Sequence, residues 1–429
     1  MATPRHHGIW IFANVRQAAG VGLAIAIMFG LTVVITQTAQ AQTFNVIHNF
    51  TGGGDGKRPR AGLTRHGAGD FYGTTNHGGA HDYGTVFNLA HRGSGWILTP
   101  LYSFSGGDDG YYLDARVIIG PDGNLYGTTA YGGGGPCTGP PPGCGTIFRL
   151  RPTAGVPHSV LASWTETPLH RFTGPPNDGN YPGFCDLVFD PTGNIYGTTQ
   201  GGGLYDWGTV FKLTQSNGGW VESVLYSFTS GADGGSPTAG GVVFDNAGNL
   251  YGTAFVGGDN NSGVVYELTP SGSGWTENVL YDFQVASDGG NPIAGLIFDH
   301  SGNLYGATTY GGSGGGGTVF ELTPSNGNWI YTVLYTFSGA AGPEANLIMD
   351  ANGNLYGTTF ADGAYGYGNV FKLTPSNGNW TYTDLYDFTG GNDGANPESS
   401  VSFDASDNLY GTAEYGGAYG NGVVWEITP

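Results

Sequence analysis

Helical periodicity is missing from this chain. Beyond residue 41 no stretch keeps an apolar repeat of 3.6 residues over a useful length, which excludes helical bundles and alternating α/β folds. Basic residues are scarce: 13 Lys+Arg face 33 Asp+Glu among 429 residues, a formal charge of −20. A surface of that sign repels nucleic acid and anionic lipid alike, so neither is expected as a partner. Cysteine is scarcer still, with three residues, too few to build a disulfide scaffold. No catalytic constellation stands out. Gly311-Gly312-Ser313-Gly314-Gly315 has the form of a nucleophile elbow, but a chain with 82 glycines makes such a match by chance, and no helix follows it. His77, His81 and Asp82 share one loop without helical spacing or a further ligand group. Acids are too plentiful for a glycosidase pair to be picked out.

What the chain does contain begins with an export signal. Arg5 and Arg16 precede an apolar run from Ala18 to Ile35, and Ala39-Gln40-Ala41 supplies small residues at the −3 and −1 positions of a cleavage site. Charged n-region, apolar h-region and small-x-small site together predict a secretory signal peptide over residues 1–41; an uncleaved anchor is the alternative that the length of the run allows. Those 41 residues hold two arginines and no acid, so the remainder carries 11 Lys+Arg against 33 Asp+Glu, a formal charge of −22. The predicted location is secreted or periplasmic, with no membrane attachment after cleavage. In that compartment Cys137 and Cys144, flanking a Pro/Gly insertion, are expected to form a disulfide, and Cys185 to be a buried free thiol in a strand.

The rest of the chain, 42–429, is a repeat. Asn/Asp-x-Tyr-Gly-Thr-Thr or a near copy recurs seven times, with tyrosines at Tyr72, Tyr126, Tyr196, Tyr251, Tyr305, Tyr356 and Tyr410, at intervals of 54, 70, 55, 54, 51 and 54 residues. Each unit holds four strand-like pieces separated by Asn-Gly, Gly-Asn and Pro-Ser turns. In the fifth copy these are Ala294–Asp299, Leu304–Thr308, Thr318–Thr323 and Trp329–Phe337. Four strands in ~50 residues, seven times over, predict an all-β fold: one seven-bladed β-propeller of four-stranded antiparallel blades. The last copy ends on its third strand, Val423–Thr428, while Thr43–Phe50 reads as an unmatched fourth strand. The N-terminal strand is therefore expected to complete the last blade, leaving no free sheet edge. An open solenoid would need capping units that neither end supplies. The 70-residue interval holds the cysteine-flanked insertion and a long turn, Arg151 to Ser163, both assigned to loops.

In such a meander one face carries short uniform turns. The other carries the variable loops between second and third strands and the blade-to-blade connections, and function is expected there. The connections repeat Asp-Gly-x-x-Pro and place Asp55, Asp109, Asp178, Asp233, Asp288 and Asp393 in equivalent positions; the sixth copy has lost its acid. A ring of carboxylates could hold Ca²⁺, and no other cofactor is implied, whereas an Asp before Gly equally serves its own turn. The loops bring aromatics beside acids: Asp82 and Tyr83; Tyr205, Asp206 and Trp207; Tyr365 and Tyr367; Tyr415 and Tyr419. Rings next to carboxylates suit sugars, and the same rings could instead pack between blades. The first copy alone has a basic cluster: Lys57, Arg58, Arg60 and Arg65, with His66.

The unit Gly-Asn-Leu-Tyr-Gly-Thr-Thr, then Gly-Thr-Val-Phe-x-Leu-Thr-Pro, Trp, Leu-Tyr-x-Phe and Asp-Gly-x-x-Pro resembles the GloVer tandem repeat of exported bacterial choice-of-anchor proteins, over all of residues 42–429. The turn from Asp190 to Tyr196 is more loosely similar to NHL-type propeller repeats. The resemblance implies export and often a C-terminal sorting anchor, without a defined activity; a chain ending at Pro429 inside a blade is expected to be released. A monomeric binding or interaction module is favoured, for an extracellular glycan, a cell-envelope polysaccharide or a protein. The alternative is a carbohydrate-active enzyme, a lyase or hydrolase using loop acids.

Overall fold

A computed structural model describes residues 42–67, 69–138, 142–153, 163–237, 240–272 and 274–429; the expected signal segment, 1–41, lies outside the described residues. Seven four-stranded antiparallel sheets make the blades, numbered here in the order of their motif tyrosines, and no helix occurs among the described residues. Blade 3 shows the plan: Val188–Phe189 innermost, then Ile195–Thr199, Thr209–Ser216 and Gly219–Ser227. Blade 7 combines Ser402–Phe403, Leu409–Ala413 and Val423–Thr428 with Thr43–Asn49, which pairs antiparallel from Thr43↔Thr428 to Asn49↔Val423. Its register slips between Val46 and His48, as the outer strands of the other blades slip at their conserved-position Leu, so Ile47 takes the place of Leu225.

Each letter of the repeated motif has a physical task. The Asp six residues before the tyrosine folds the tight turn: Asp190 Oδ1 accepts from the Thr192 and Asn194 amides, both at 2.9 Å, and Oδ2 accepts from Asn194 Nδ2 at 2.7 Å and Tyr196 Oη at 3.2 Å. The tyrosine ring then meets the next blade edge-on, as Tyr196 does Phe244 at 5.0 Å and Tyr356 does Phe403 at 5.1 Å. From its other side comes the next blade's outer-strand Trp: Trp329 at 6.1 Å from Tyr251, and Trp96 at 5.5 Å from Tyr410. The glycine admits a third-strand aromatic, because a Cβ on Gly197 would stand 2.6 Å from the Phe211 ring. The first threonine donates to the next blade: Thr74 to Ala115 O at 3.0 Å, Thr253 to Ala294 O at 2.8 Å, Thr358 to Ser399 O at 3.0 Å and Thr412 to Ala61 O at 3.1 Å. The second ties its own third strand, as Thr75 Oγ1 does Thr85 Oγ1 at 2.9 Å.

Two expectations shift in detail. The innermost strands are shorter than Ala294–Asp299 suggests: only Ile297–Phe298 pairs within its sheet, because Ala294 O is taken by Thr253 of the preceding blade. Cys185 is free and buried but precedes its strand, and burial pushes its thiol up to about 12. Cys137 and Cys144 are bonded. Of the long turn after Arg151, residues 154–162 lie outside the described residues, and Thr153 N to Ser163 O at 2.8 Å closes its base.

One blade connection carries avoidable strain. At the position where Gly52, Gly106, Gly174 and Gly390 adopt positive φ, Val285 has φ 67°, a region that costs a branched L-residue about 1–2 kcal/mol. Val285→Gly is expected to stabilise the protein by about 1 kcal/mol, read from urea unfolding. A loss of stability would show instead that its half-exposed side chain packs productively.

Candidate functional site

The blade connections end at a cavity of about 370 Å³ lined by all seven blades. Its lining comes from one repeated position, the residue following the proline of Asp-Gly-x-x-Pro or its equivalent. In blades 1, 2, 5, 6 and 7 this is Arg60, Asp114, Ile293, Glu344 and Glu398; in blade 3 an extra glycine, Gly183, brings Phe184 to the lining. At this position blades 6, 7, 1 and 2 supply charged residues and blades 3 and 5 supply Phe184 and Ile293, while Asp186 and Gln200 of blade 3 and Ser236 and Phe255 of blade 4 complete the lining. At that one position, charged residues fill one arc of the ring and apolar residues the other.

Arg60 organises the charged arc. Its Nε and Nη2 donate to Glu398 Oε2 and Oε1 at 2.6 and 2.8 Å, Nη1 reaches Asp114 Oδ1 at 3.4 Å, and Glu414 lies 3.6 Å away. Bidentate pairing of this kind is the strong form of the guanidinium–carboxylate bond. Asn76 Nδ2 adds a bond to Asp114 Oδ1 at 2.6 Å. The Arg60 plane also sits 5.4 Å over the Phe184 ring, joining the two arcs. Deeper in, Arg116 pairs with Asp186 at 2.8 Å. Burial works against the Arg60 charge, but Asp114, Glu398 and Glu414 outweigh it and raise its pKa.

With Arg116 paired to Asp186, Arg60 alone faces Asp114, Glu344, Glu398 and Glu414, and burial raises several of these acids. Burial, opposed by Arg60 and reinforced by Glu398, pushes Asp114 up to about 6. Burial raises Glu414 in the same way. Glu344 has no ion pair among the described residues; burial first, then Glu398, push it up to about 8. At neutral pH the cavity therefore presents a carboxylic acid O–H, an ion-paired guanidinium, the Gln200 amide and the Ser236 hydroxyl beside Phe184, Phe255 and Ile293.

The predicted site residues fall elsewhere. The six aspartates sit in six separate turns, each filled by its own neighbours. Asp109 Oδ2 accepts from Tyr102 Oη at 3.1 Å and Ser105 N at 2.8 Å, and Asp288 Oδ2 from Tyr281 Oη at 2.7 Å and Gln284 N at 3.0 Å. Asp233 and Asp393 repeat this with Tyr226 and Tyr386, and Asp55 and Asp178 with His48 and His170. Among the described residues only Asp178 belongs to a cluster of three metal-ligating side chains, with His170 and Glu222, whose ligand atoms lie within 4.8 Å of one another. Asp82 and Asp206 both adopt φ near 60° and close their own loops, accepting from Gly78 N at 2.8 Å and Gly202 N at 2.9 Å. Tyr205 and Trp207 stand exposed in one loop, Tyr365 and Tyr367 in another, and Tyr419 in a third, on blades 3, 6 and 7. Tyr83 packs 5.1 Å from Tyr111, and Tyr415 lies under Arg58 at 5.3 Å. The lining acids Asp114, Glu344 and Glu398 went unnoticed in the sequence. Their signal was present: the residue after the repeated proline changes from copy to copy while its surroundings do not.

Comparison with known proteins places this geometry. A model of the Gloeobacter/Verrucomicrobia repeat matches residues 27–241 and 185–425. No curated protein matches the chain. Among solved structures, the extracellular domain of BT4673 from B. thetaiotaomicron is similar with a TM-score of 0.53 at 14% identity, over 90% of this chain and 42% of that one. The chain thus spans about two fifths of that structure's length, and the likeness concerns the fold. A candidate 6-phosphogluconolactonase from Bacteroides uniformis reaches a TM-score of 0.46 at 16% identity, over 76% of this chain and 84% of that one.

Two measurements check the electrostatics. Because the turn aspartates are already satisfied, the melting temperature is expected to be equal in calcium and in chelator, and a clear rise with calcium would restore them as ligands. Glu344 holds a proton in the folded state that the unfolded chain gives up at its ordinary value of 4.5, so its contribution to stability declines as pH climbs from 4.5 to about 8. Glu344→Gln is therefore expected to melt higher than the parent at pH 8–9, with the difference fading below pH 5; a pH-independent difference would contradict the burial of this acid.

Proposed function

The chain belongs to the Gloeobacter/Verrucomicrobia repeat family, and on that footing we propose that it is an extracytoplasmic binding protein that holds part of a glycan in the cavity at the centre of its ring. The observation that carries this reading is that one cavity combines hydrogen-bonding groups around Arg60 with the apolar faces of Phe184, Phe255 and Ile293. A sugar has the same two-sidedness, with hydroxyls at its edge and CH groups on its face. The volume lies within the range of small-molecule sites, about 300–1,000 Å³. The Cys137–Cys144 disulfide supports an oxidising compartment, as export by the predicted signal would require. Among the described residues no helix is long and apolar enough to cross a membrane.

A second reading rests on Glu344. A carboxyl that keeps its proton near neutrality, in the same cavity as the Arg60-paired Glu398, is the arrangement from which acid–base cleavage of a glycosidic bond could be built.

One experiment separates the two. The mature protein and its Phe184→Ala and Glu344→Gln variants are applied to a panel of cell-envelope and plant polysaccharides, with retention and reducing-end release both recorded. Retention without release, weakened about ten-fold or more by Phe184→Ala, is expected for loss of one aromatic face. Release that stops in Glu344→Gln would make the protein an enzyme, and retention indifferent to Phe184 would move the ligand away from the cavity.

A further inference from the structure

The rim of the cavity repeats as strictly as its lining, with one departure. In six blades a single residue of the connection, two before the lining residue or its equivalent, adopts a left-handed conformation: Arg58 (φ 56°), Tyr112 (62°), Tyr181 (58°), Ser236 (49°), Asn291 (54°) and Asn396 (54°). Blade 6 has Gly342 at this place. The backbone bonds are shared. The rim residue's amide donates to a carbonyl of the preceding blade, as Tyr112 N to Tyr83 O at 3.1 Å, and its carbonyl accepts from the residue after the motif, as from Ala130 N at 2.9 Å. Blades 5 and 7 fill the position with Asn, which tolerates it, blade 4 with the small Ser236, and blade 6 has Gly342. Asn291 and Asn396 also use their amides, each donating at 3.0 Å to the carbonyl of Phe255 or Phe360. Blades 1 to 3 use Arg and two Tyr, which gain no such bond and carry the conformational cost.

Those three side chains are not scattered. Tyr112 stacks on His77 at 4.3 Å and lies 6.0 Å from Tyr131, which stands 5.1 Å from Tyr181. Tyr111 and Tyr83 also pack on Tyr112, at 5.1 and 6.5 Å. Arg58, exposed and without an ion pair among the described residues, continues the arc over Tyr415. Ser236, the blade-4 member of this rim position, itself lines the cavity, so the arc and the cavity share one mouth.

We propose that this arc is a second subsite, on which successive rings of a neutral oligosaccharide lie as they leave the cavity, stacked on Tyr112 and Tyr181 and hydrogen-bonded by Arg58. The inference rests on the glycan reading of the cavity and adds chain length and charge to it. A neutral chain fits because a protein of formal charge −22 after its signal repels a polyanion at long range. The strain then has a purpose: large side chains, half-buried at Tyr112 and Tyr181, are held at a turn tip that favours small ones, beside the mouth of the cavity.

The test uses neutral cello-, xylo- and malto-oligosaccharide ladders of two to six units, with oligogalacturonides of the same lengths, on the mature protein and on Tyr112→Asn/Tyr181→Asn, which installs the residue of blades 5 and 7. At least one neutral ladder is expected to bind about ten-fold tighter at six units than at two. The double variant is expected to lose that gain with length while melting no lower than the parent. A length gain that survives the double variant, or a variant that melts several degrees lower, would make the tyrosines packing residues and overturn the subsite with the cavity reading intact. Tighter binding of oligogalacturonides would overturn the neutral assignment. Absence of binding by every ladder would overturn the glycan reading and the subsite together.

Discussion

Each blade has a face it cannot bury alone, and the contact that covers it is the one on which everything else depends. The motif tyrosine stands at that joint. Its ring is gripped by a Phe from the next blade's innermost strand and a Trp from its outermost strand, and its hydroxyl locks its own turn. A buried aromatic of this size removes about 150–250 Å² from water. The adjoining threonine adds a bond across the same seam, so apolar burial and hydrogen-bond satisfaction fall at one place. Thr412 to Ala61 O and Trp96 on Tyr410 repeat these contacts between blades 7 and 1. A sheet array sealed this way offers no open edge for pairing with another chain.

A joint that must be alike in every blade explains why the conspicuous part of the sequence is scaffold. The Asp-Gly connection is a second such device. Its carboxylate takes the backbone amide at the end of the outer strand and a Tyr hydroxyl or His ring from that strand, and this fixes the direction in which the chain enters the next blade. With the entry direction fixed, the following residues arrive at the ring centre at a constant depth. Identity can then vary there without altering the backbone, and it does: Arg60, Asp114, Ile293, Glu344 and Glu398 occupy one backbone position. Variation at a position held rigid by invariant neighbours is how a repeat scaffold acquires a specific site.

The fold, the blade count, the strand shared between chain ends and the disulfide were legible in the sequence because they rest on local signals. The motif, its turn chemistry and the cysteine spacing are each read within a few residues, and the period follows from counting copies of the motif. The aromatic loops were legible as residues but not as a site. Asp82 and Asp206 look like sugar ligands in a one-dimensional reading, yet each spends its carboxylate on a loop amide four residues away. Asp114 and Glu398, which the chain separates by hundreds of residues, carried no mutual signal.

The sequence by itself determined a seven-bladed β-propeller and the pairing of Thr43–Asn49 with the last blade, since repetition and hairpin turns act at short range. Only the tertiary structure decided which copy-specific residues meet. Closing the ring sets residue 398 against residue 60 at 2.6 Å and, at the one lining position, puts charged residues along one arc and apolar residues along the other. It also lines up Arg58, Tyr112 and Tyr181 along one side of the rim. That convergence depends on the circular order of the blades, and single positions about fifty residues apart leave no local pattern from which to read it.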